Sequence, residues 1–174
     1  MRILKYLWFH FVTLATSWLP DLRPVLILRG FLLRPAFKRC GSNLQVARGV
    51  TINFTSRLEI GRDVFLAVGC WLHAAGAIRL EDGVQIGPYA ALVSADHTAI
   101  QGSYRFGESI LAPIRICRGA WIAAHATVTK GITVGRGALL AANSVATRDI
   151  PPFAKAGGVP ARVIQEQARF EVVG

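Results

Sequence analysis

The sequence predicts an all-β solenoid in which short parallel strands wind into a β-helix behind a helical amino terminus. Apolar residues recur every six positions from Cys40 to Ile150, a period that fits neither an amphipathic helix nor an alternating strand. Whole blocks also return at a constant spacing, since Ile60 and Leu80 open blocks of the same form. Glycine and other small residues stand beside the aliphatic ones, where a coil has to turn.

The repeated blocks define the coils of the solenoid. Each coil is expected to form three flat faces, with one aliphatic residue per hexad pointing inward and stacking on its equivalent in the next coil. Two later blocks, which begin at Ile116 and Val134, repeat the same form at a slightly shorter spacing. We therefore expect the β-helix over residues 40–164 and a short carboxy-terminal helix in a tail over 165–174. The inward residues of the first coils are Val46, Ile52, Leu66, Leu72, Ile86 and Leu92.

Composition agrees with one domain. The chain has 174 residues, and 52% of them are hydrophobic, which is enough for a continuous core. Its three cysteines, Cys40, Cys70 and Cys117, have no metal-binding spacing and are expected to be core or corner residues in a reducing compartment. The formal net charge of +10 calls for an anionic partner or surface.

Residues 1–39 precede the repeat and begin with a predicted amphipathic helix that Pro20 ends. A signal peptide fits poorly, because no small-residue cleavage site precedes Pro20. A membrane span also fits poorly, because the apolar run is shorter than about 20 residues and contains Lys5 and His10. Packing on the end of the solenoid remains an alternative to a surface role. The apolar side of this helix comprises Ile3, Leu4, Leu7, Trp8, Phe11, Leu14, Ala15, Trp18 and Leu19.

The amino-terminal segment, 1–39, is also strongly basic. It holds seven Lys or Arg side chains against the single acid Asp21, a net charge of +6. Basic residues interleaved with aliphatic ones favour peripheral attachment to anionic lipid, here at the inner face of the cytoplasmic membrane. Nucleic acid is not the expected partner, because the stretch is strongly apolar and carries no nucleic-acid motif. Contact with another copy of the chain stays open as an alternative.

A polar loop over residues 94–113 interrupts the hexads, which resume at Ile114. A long loop pushed out of a regular solenoid is more often functional than not. This one contains Asp96 followed by His97, the only histidine of the chain that stands next to an acid.

The carboxy-terminal half carries a recognisable series of motifs. They are Trp121-Ile122-Ala123-Ala124-His125-Ala126-Thr127-Val128, then Gly131-Ile132-Thr133-Val134-Gly135-Arg136-Gly137-Ala138, then Ala142-Asn143-Ser144-Val145-Ala146-Thr147-Arg148-Asp149-Ile150-Pro151-Pro152, and Ala156-Gly157-Gly158-Val159-Pro160-Ala161-Arg162-Val163-Ile164. This series resembles the signature of the hexapeptide-repeat acyltransferases. Over residues 40–165 the chain is most similar to the sugar O-acetyltransferases of bacterial polysaccharide synthesis.

The resemblance implies a left-handed β-helix, a homotrimer, and acetyl-CoA bound between neighbouring subunits, without a metal. It implies that His97 is the catalytic histidine, with Asp96 beside it, and that the acceptor is a sugar, a nucleotide sugar or a lipid-linked glycan. Trp121, Tyr104 and Glu108 are expected near the acetyl group or the acceptor. The residues expected along the acetyl-CoA groove are Ala123, Ala124, Ala141, Ala142, Lys130, Arg148, Lys155 and Arg162; many relatives have glycine where this chain has Ala123.

The chemistry of such a site is direct transfer. A sugar hydroxyl has a pKa far above 7, so a neutral imidazole must take its proton as it attacks the thioester. Main-chain N–H groups or side-chain donors would stabilise the oxyanion. Asp96 is the acid nearest to His97 in sequence, but adjacent side chains of an extended strand point in opposite directions. Glu108 or a main-chain carbonyl is therefore an alternative partner for the imidazole.

Other roles and activities are weighed against this one. His73 and His125 lie within coils, where a structural role is the simpler interpretation, and His125 could also line the cleft. A zinc-dependent carbonic anhydrase on a β-helix needs three clustered histidines, whereas His73, His97 and His125 stand far apart in the sequence and include no close pair. A non-catalytic scaffold at the membrane would not need the loop that contains His97. N-acetylation of an amino sugar, or transfer of another acyl group, remains open.

Overall fold

The computed structural model describes residues 2–166. They form a left-handed parallel β-helix of about six turns, preceded by two helices. The helices are α1 (Arg2–Ala15) and α2 (Arg23–Leu33), and single 3₁₀ turns follow at Arg34–Ala36 and Thr55–Arg57. The predicted fold class is therefore confirmed.

The strands are short, and most have two or three residues. In chain order they are β1 (Arg39–Cys40), β2 (Gln45–Val46), β3 (Thr51–Asn53), β4 (Leu58–Ile60), β5 (Phe65–Leu66), β6 (Trp71–His73), β7 (Ile78–Leu80), β8 (Gln85–Ile86), β9 (Ala91–Val93), β10 (Ala95–His97), β11 (Ser109–Leu111), β12 (Ile114–Ile116), β13 (Trp121–Ile122), β14 (Thr127–Val128), β15 (Thr133–Val134), β16 (Leu139–Leu140), β17 (Val145–Ala146), β18 (Ala154–Gly158) and β19 (Ala161–Glu166).

Three sheets form the three faces of the solenoid. The first has the order β1-β4-β7-β12-β15, the second β2-β5-β8-β13-β16-β18-β19, and the third β3-β6-β9-β14-β17. Their pairs are parallel, except β18 with β19. Ile60 lies opposite Leu80 and Ile116 opposite Val134, which confirms the predicted spacing of both sets of blocks.

The core differs from the prediction in one respect. Each hexad buries two residues rather than one, as at Leu58 and Ile60, which have 0% and 4% of their surface exposed. Alternate residues of a strand point to the same side, so the residue two positions before each predicted aliphatic is also buried. Small residues such as Cys70 and Ala90 often occupy this second position, which hides it from a search for large aliphatic residues.

The two helices cover the first coils. Arg29 of α2 is 1% exposed, and its guanidinium donates to the Thr16 and Val46 carbonyl oxygens at 3.1 and 2.7 Å and to the Asp21 carboxylate at 2.9 Å. These bonds join the turn between the helices to the solenoid, so the buried charge is paired and fully hydrogen-bonded. Neither helix is long and apolar enough to cross a bilayer, and the same holds for the rest of residues 2–166.

The last described residues form a hairpin. Strands β18 and β19 pair antiparallel, with Gly158 opposite Ala161. Where the predicted carboxy-terminal tail begins, at residue 165, the chain is still in β19 and not in a helix, because this segment completes the second sheet. Most of the expected helix, residues 167–174, lies outside the described residues.

Candidate active site

The predicted loop leaves the solenoid between β9 and β12 as a hairpin built from β10 and β11. His97 lies directly opposite Ser109, and Asp96 lies opposite Ile110. Ser94 fixes the base, because its hydroxyl donates to the His73 carbonyl oxygen at 2.7 Å and accepts from the Gly76 N–H at 2.9 Å. These two hydrogen bonds to the preceding coil therefore fix the point at which the hairpin leaves the solenoid.

Asp96 contacts the main chain of His97 and not its ring. Its carboxylate accepts the His97 N–H at 2.9 Å and lies 3.2 Å from the Lys130 ammonium nitrogen. The His97 N–H and then Lys130 lower the pKa of Asp96 below its usual range. Asp96 thus holds the strand that carries His97. Within residues 2–166, no hydrogen bond joins the His97 imidazole to another residue.

Glu108 lies across the hairpin from Thr98, with which it exchanges main-chain and hydroxyl hydrogen bonds at 2.9 Å. Because successive residues alternate in direction, this pair faces away from the side that His97 shares with Ser109. Ser109 is therefore the hairpin residue beside His97 that sequence reasoning missed. Tyr104 lies near the hairpin tip with 68% of its surface exposed.

His73 belongs to the neighbourhood of His97, although the sequence favoured a structural role for it. Partial burial, and then electrostatic repulsion between the two imidazoles of His73 and His97, lower the pKa of His73. Its Nδ1 lies 3.4 Å from the Asn53 amide oxygen, which also accepts the Trp71 indole N–H at 2.7 Å. The regular spacing of the repeated blocks could have predicted this position of His73. It stacks Asn53, His73 and Val93 in one column that ends just before the hairpin.

A cavity of about 670 Å³ opens next to this column. Its size and its mixture of aromatic rings with a few polar groups are typical of a small-molecule site. The Phe54 ring stands nearly perpendicular to the His73 ring, with centroids 5.3 Å apart, and helix α1 closes one wall. The lining residues are Ile3, Tyr6, Asn53, Phe54, Thr55, Ser56, Arg57, Trp71 and His73.

Trp121 lies on a different face of the solenoid. It is 45% exposed on the second sheet, level with Leu139, which in turn is level with Lys155. The small residues predicted to form the acetyl-CoA groove follow one another at the edge of this sheet. The Ala123 N–H donates to the Leu140 carbonyl oxygen at 2.9 Å, and the Asn143 N–H donates to the Ala124 carbonyl oxygen at 3.0 Å. One turn further along this edge, a Cβ added at Gly157 would lie 3.4 Å from the Ala141 Cβ, and Ala142 is exposed beside it.

The four predicted acetyl-CoA cations fall into two groups. Lys130 and the exposed Arg148 follow β14 and β17, which are neighbours in the third sheet. Lys155 and Arg162 belong to the hairpin of β18 and β19. The structure thus brings His97 together with Asp96, Lys130 and His73, and brings Trp121 together with the alanine row and Lys155. It does not bring these two groups together within one chain.

A hexad-repeat β-helix with an exposed histidine on an extruded hairpin defines a class of protein, the hexapeptide-repeat acyltransferases. Galactoside O-acetyltransferase of Escherichia coli (strain K12) is 31% identical to this chain over 138 residues, which are 79% of this chain and 68% of that enzyme. The chain belongs to this family of sugar O-acetyltransferases. No protein-family model matches it.

Solved structures agree. A galactoside acetyltransferase in complex with coenzyme A superposes with a TM-score of 0.82 at 28% identity, over 95% of this chain and 82% of the other. A hexapeptide-repeat acetyltransferase of Vibrio cholerae O1 biovar eltor, complexed with acetyl coenzyme A, gives a TM-score of 0.81 at 25% identity, over 95% and 88%.

Proposed function

We propose that this protein transfers an acetyl group from acetyl-CoA to a sugar hydroxyl during synthesis of a bacterial surface polysaccharide or glycolipid. The observation that carries the proposal is the position of His97. Its main chain is held by Asp96, its hairpin is tied to the solenoid by Ser94, and its imidazole is free of hydrogen bonds to the rest of residues 2–166. An imidazole that is carried on a fixed main chain and has no partner of its own can accept a proton from a substrate.

In the proposed reaction, neutral His97 takes the hydroxyl proton as the sugar oxygen attacks the thioester carbonyl carbon. A C–O bond forms and the C–S bond breaks. The imidazolium then returns its proton to the departing sulfur, so the products are the acetylated sugar and the free thiol of coenzyme A. His97 ends in its starting state, and no covalent enzyme intermediate is required.

Acetyl-CoA supplies the activated acetyl group, and the second sheet offers residues suited to hold it. Small side chains at the sheet edge, Ala123, Ala124, Ala141 and Ala142, leave room for an extended chain to lie against the main chain. Lys155 and Arg162 lie at the same end and can pair with phosphates. The indole of Trp121, on the outer surface of this sheet, is suited to flank the acetyl group.

We propose that the active protein is a homotrimer. His97 and Trp121 are on different faces of one chain, so a complete site needs the hairpin of one subunit and the second sheet of the next. A cyclic trimer repeats this heterologous contact three times and closes.

The acceptor site is assigned to the cavity beside His73. Asn53, Trp71 and His73 present hydrogen-bonding groups among aromatic rings, a combination that suits the hydroxyls and apolar faces of a sugar ring. A lipid-linked or nascent glycan at the cytoplasmic face of the membrane is the acceptor class that we favour, because α1 forms one wall of this cavity.

The test is release of the coenzyme A thiol by the wild type, His97→Ala and His10→Ala, measured with a panel of sugars, nucleotide sugars, lipid-linked sugars and amino sugars. His10 is exposed on α1 and is a control for loss of an imidazole elsewhere. We expect turnover with at least one hydroxyl acceptor, a decrease of about 10²–10⁴-fold for His97→Ala, and no change for His10→Ala. Full activity of His97→Ala would remove His97 as the base, and exclusive turnover of amino sugars would change the reaction to N-acetylation.

A further inference from the structure

Helix α1 packs on the solenoid through the side that the sequence marks as less apolar. Phe9, Val12 and Thr16 face the protein and are 1%, 3% and 6% exposed. On the same side the Lys5 ammonium donates to the Phe37 carbonyl oxygen at 2.6 Å. The predicted apolar side therefore points away from the solenoid.

This outward side of α1 consists of large apolar side chains. Leu4, Leu7, Phe11 and Leu14 are 70%, 57%, 62% and 75% exposed, and Trp18 just beyond the helix is 78% exposed. Single exposed apolar residues are common on soluble proteins, but a contiguous set along the whole helix indicates an interaction surface.

Helix α2 extends the surface. The Trp8 indole N–H donates to the Leu32 carbonyl oxygen at 2.8 Å, and the Trp8 ring lies 6.0 Å from the Phe11 ring. Beyond this junction Leu28 and Phe31 of α2 are 47% and 63% exposed. We call the combined set the apolar helix surface; it comprises Ile3, Leu4, Leu7, Trp8, Phe11, Leu14, Trp18, Leu28 and Phe31.

The charge around the apolar helix surface is positive. Arg23 and Arg34 are exposed at the two ends of α2. Asp21, the only acid among residues 1–39, lies 2.9 Å from the Arg29 guanidinium and 3.7 Å from that of Arg48. Asp21 is thus paired with Arg29 and Arg48 and does not offset the positive charge of the exposed arginines at α2.

We propose that the apolar helix surface docks this protein onto an anionic lipid bilayer, with α1 and α2 lying in the plane of the interface. Aromatic and aliphatic side chains then enter the headgroup region while the arginines meet anionic headgroups. A second copy of the chain is a poorer occupant, because self-contact would bring two strongly positive segments together.

Docking also orients the acceptor site, a consequence that rests on the proposed function. Ile3 and Tyr6 of α1 form part of the rim of the cavity that His73 lines. With α1 on the bilayer, this cavity opens beside the membrane surface. A sugar carried on a lipid reaches it without leaving the bilayer, whereas a soluble sugar gains nothing from docking.

The test is sedimentation of the full-length protein with vesicles, which requires no acceptor and no turnover. Vesicles of phosphatidylcholine and phosphatidylglycerol in equal amounts are compared with vesicles of phosphatidylcholine alone. The double variant Leu7→Gln/Phe11→Gln removes the centre of the apolar helix surface. Ile164→Gln is the matched control, because Ile164 is 70% exposed in the hairpin at the other end of the solenoid.

We expect the wild type and Ile164→Gln to sediment with anionic vesicles, and the double variant to bind at least about tenfold more weakly. Circular dichroism checks that all three remain folded, and light scattering measures their oligomeric state. Failure of the wild type to bind anionic vesicles, or equal binding of the double variant and the control, overturns the proposal. A change of oligomeric state in the double variant also overturns it and assigns the surface to subunit contact. Thiol release with a soluble acceptor tests the enzymatic activity separately.

Discussion

Within residues 2–166, the main chain of His97 is held by a hydrogen bond while its imidazole has no hydrogen-bonding partner. The Asp96 carboxylate accepts the His97 N–H and is itself bound by Lys130. The sequence left the partner of the imidazole open between Asp96, Glu108 and a main-chain carbonyl; in the structure Asp96 is bonded to the His97 N–H and not to the ring. The orienting group for the second imidazole nitrogen is therefore sought on the substrate or on a neighbouring subunit.

His73 gives a pH-dependent prediction. Because the pKa of His73 is lowered by partial burial and then by electrostatic repulsion from the His97 imidazole, the unfolded chain binds a proton at higher pH than the folded chain does. Above the usual value of 6.5 both states are neutral and His73 does not affect the pH dependence of stability. As the pH falls below that value, the free energy of unfolding decreases, until the folded state also becomes protonated.

Urea unfolding of the wild type and of His73→Gln, at about pH 7.5 and about pH 5, checks this sign. We expect the wild type to lose more stability than the variant on acidification. His125→Gln is the comparison, since that imidazole is exposed and stacks on Tyr89 with ring centroids 5.1 Å apart. A wild type that gains stability at the lower pH, relative to His73→Gln, would show that His73 has the opposite shift.

At the residue scale, the sequence predicted the residues that are marked by a local motif or by the repeat. The extruded loop and the motifs after it pointed to His97, and the repeat pointed to the inward aliphatics such as Ile60 and Leu80. Ser109 was missed because its position opposite His97 depends on the hairpin register, which no two-residue turn signal fixes in a loop of this length.

The hairpin of β10 and β11 is the element that carries His97, and Gly107 is its tightest point. A Cβ added there would overlap the carbonyl group of Thr98, whose N–H binds Glu108. Gly107→Ala must therefore push the two strands apart and displace His97. Since a misplacement of about 1 Å can lower a rate about 10²-fold, we expect a loss of that order in kcat/KM.

Thermal unfolding and thiol release, measured together, separate this effect from loss of fold. The solenoid core does not include the hairpin, so the Tm of Gly107→Ala should stay close to that of the wild type. Gly102→Asn is the control at the hairpin tip, where an added Cβ meets nothing within 4 Å and asparagine tolerates the φ of +77°. Equal activities of the two variants would show that the strand spacing at Gly107 does not position His97.

The amino-terminal helices show what periodicity alone leaves undecided. The sequence correctly predicted a helix before Pro20 and a strongly apolar side along it. The sequence favoured contact with lipid for residues 1–39 and kept packing on the solenoid as the alternative; in the structure α1 packs on the solenoid through Phe9 and Val12, which are buried. A helix with apolar residues all round can pack either way, and the choice depends on tertiary contacts such as the buried Arg29.

At the scale of the whole molecule, the hexad repeat determines the fold because each coil packs on its neighbour in sequence. The proposed active site is not local in the same sense, since His97 and Trp121 lie on different faces of the solenoid. If the site forms between subunits, a chain without His97 can still supply Trp121, and a chain without Trp121 can still supply His97. Two individually defective variants should then restore each other in mixed trimers.

The experiment is co-expression of differently tagged His97→Ala and Trp121→Ala chains, followed by isolation of the mixed oligomers and measurement of thiol release. In each isolated mixed trimer, about one of the three heterologous interfaces receives both intact residues. We therefore expect the mixed preparation to recover up to about one third of wild-type turnover, above the level of either variant alone. His97→Ala mixed with the double variant His97→Ala/Trp121→Ala contains no intact interface and is the control. Turnover of the first mixture no higher than that of this control would place both residues of each site in one subunit, and would contradict the shared site on which the proposed trimer rests.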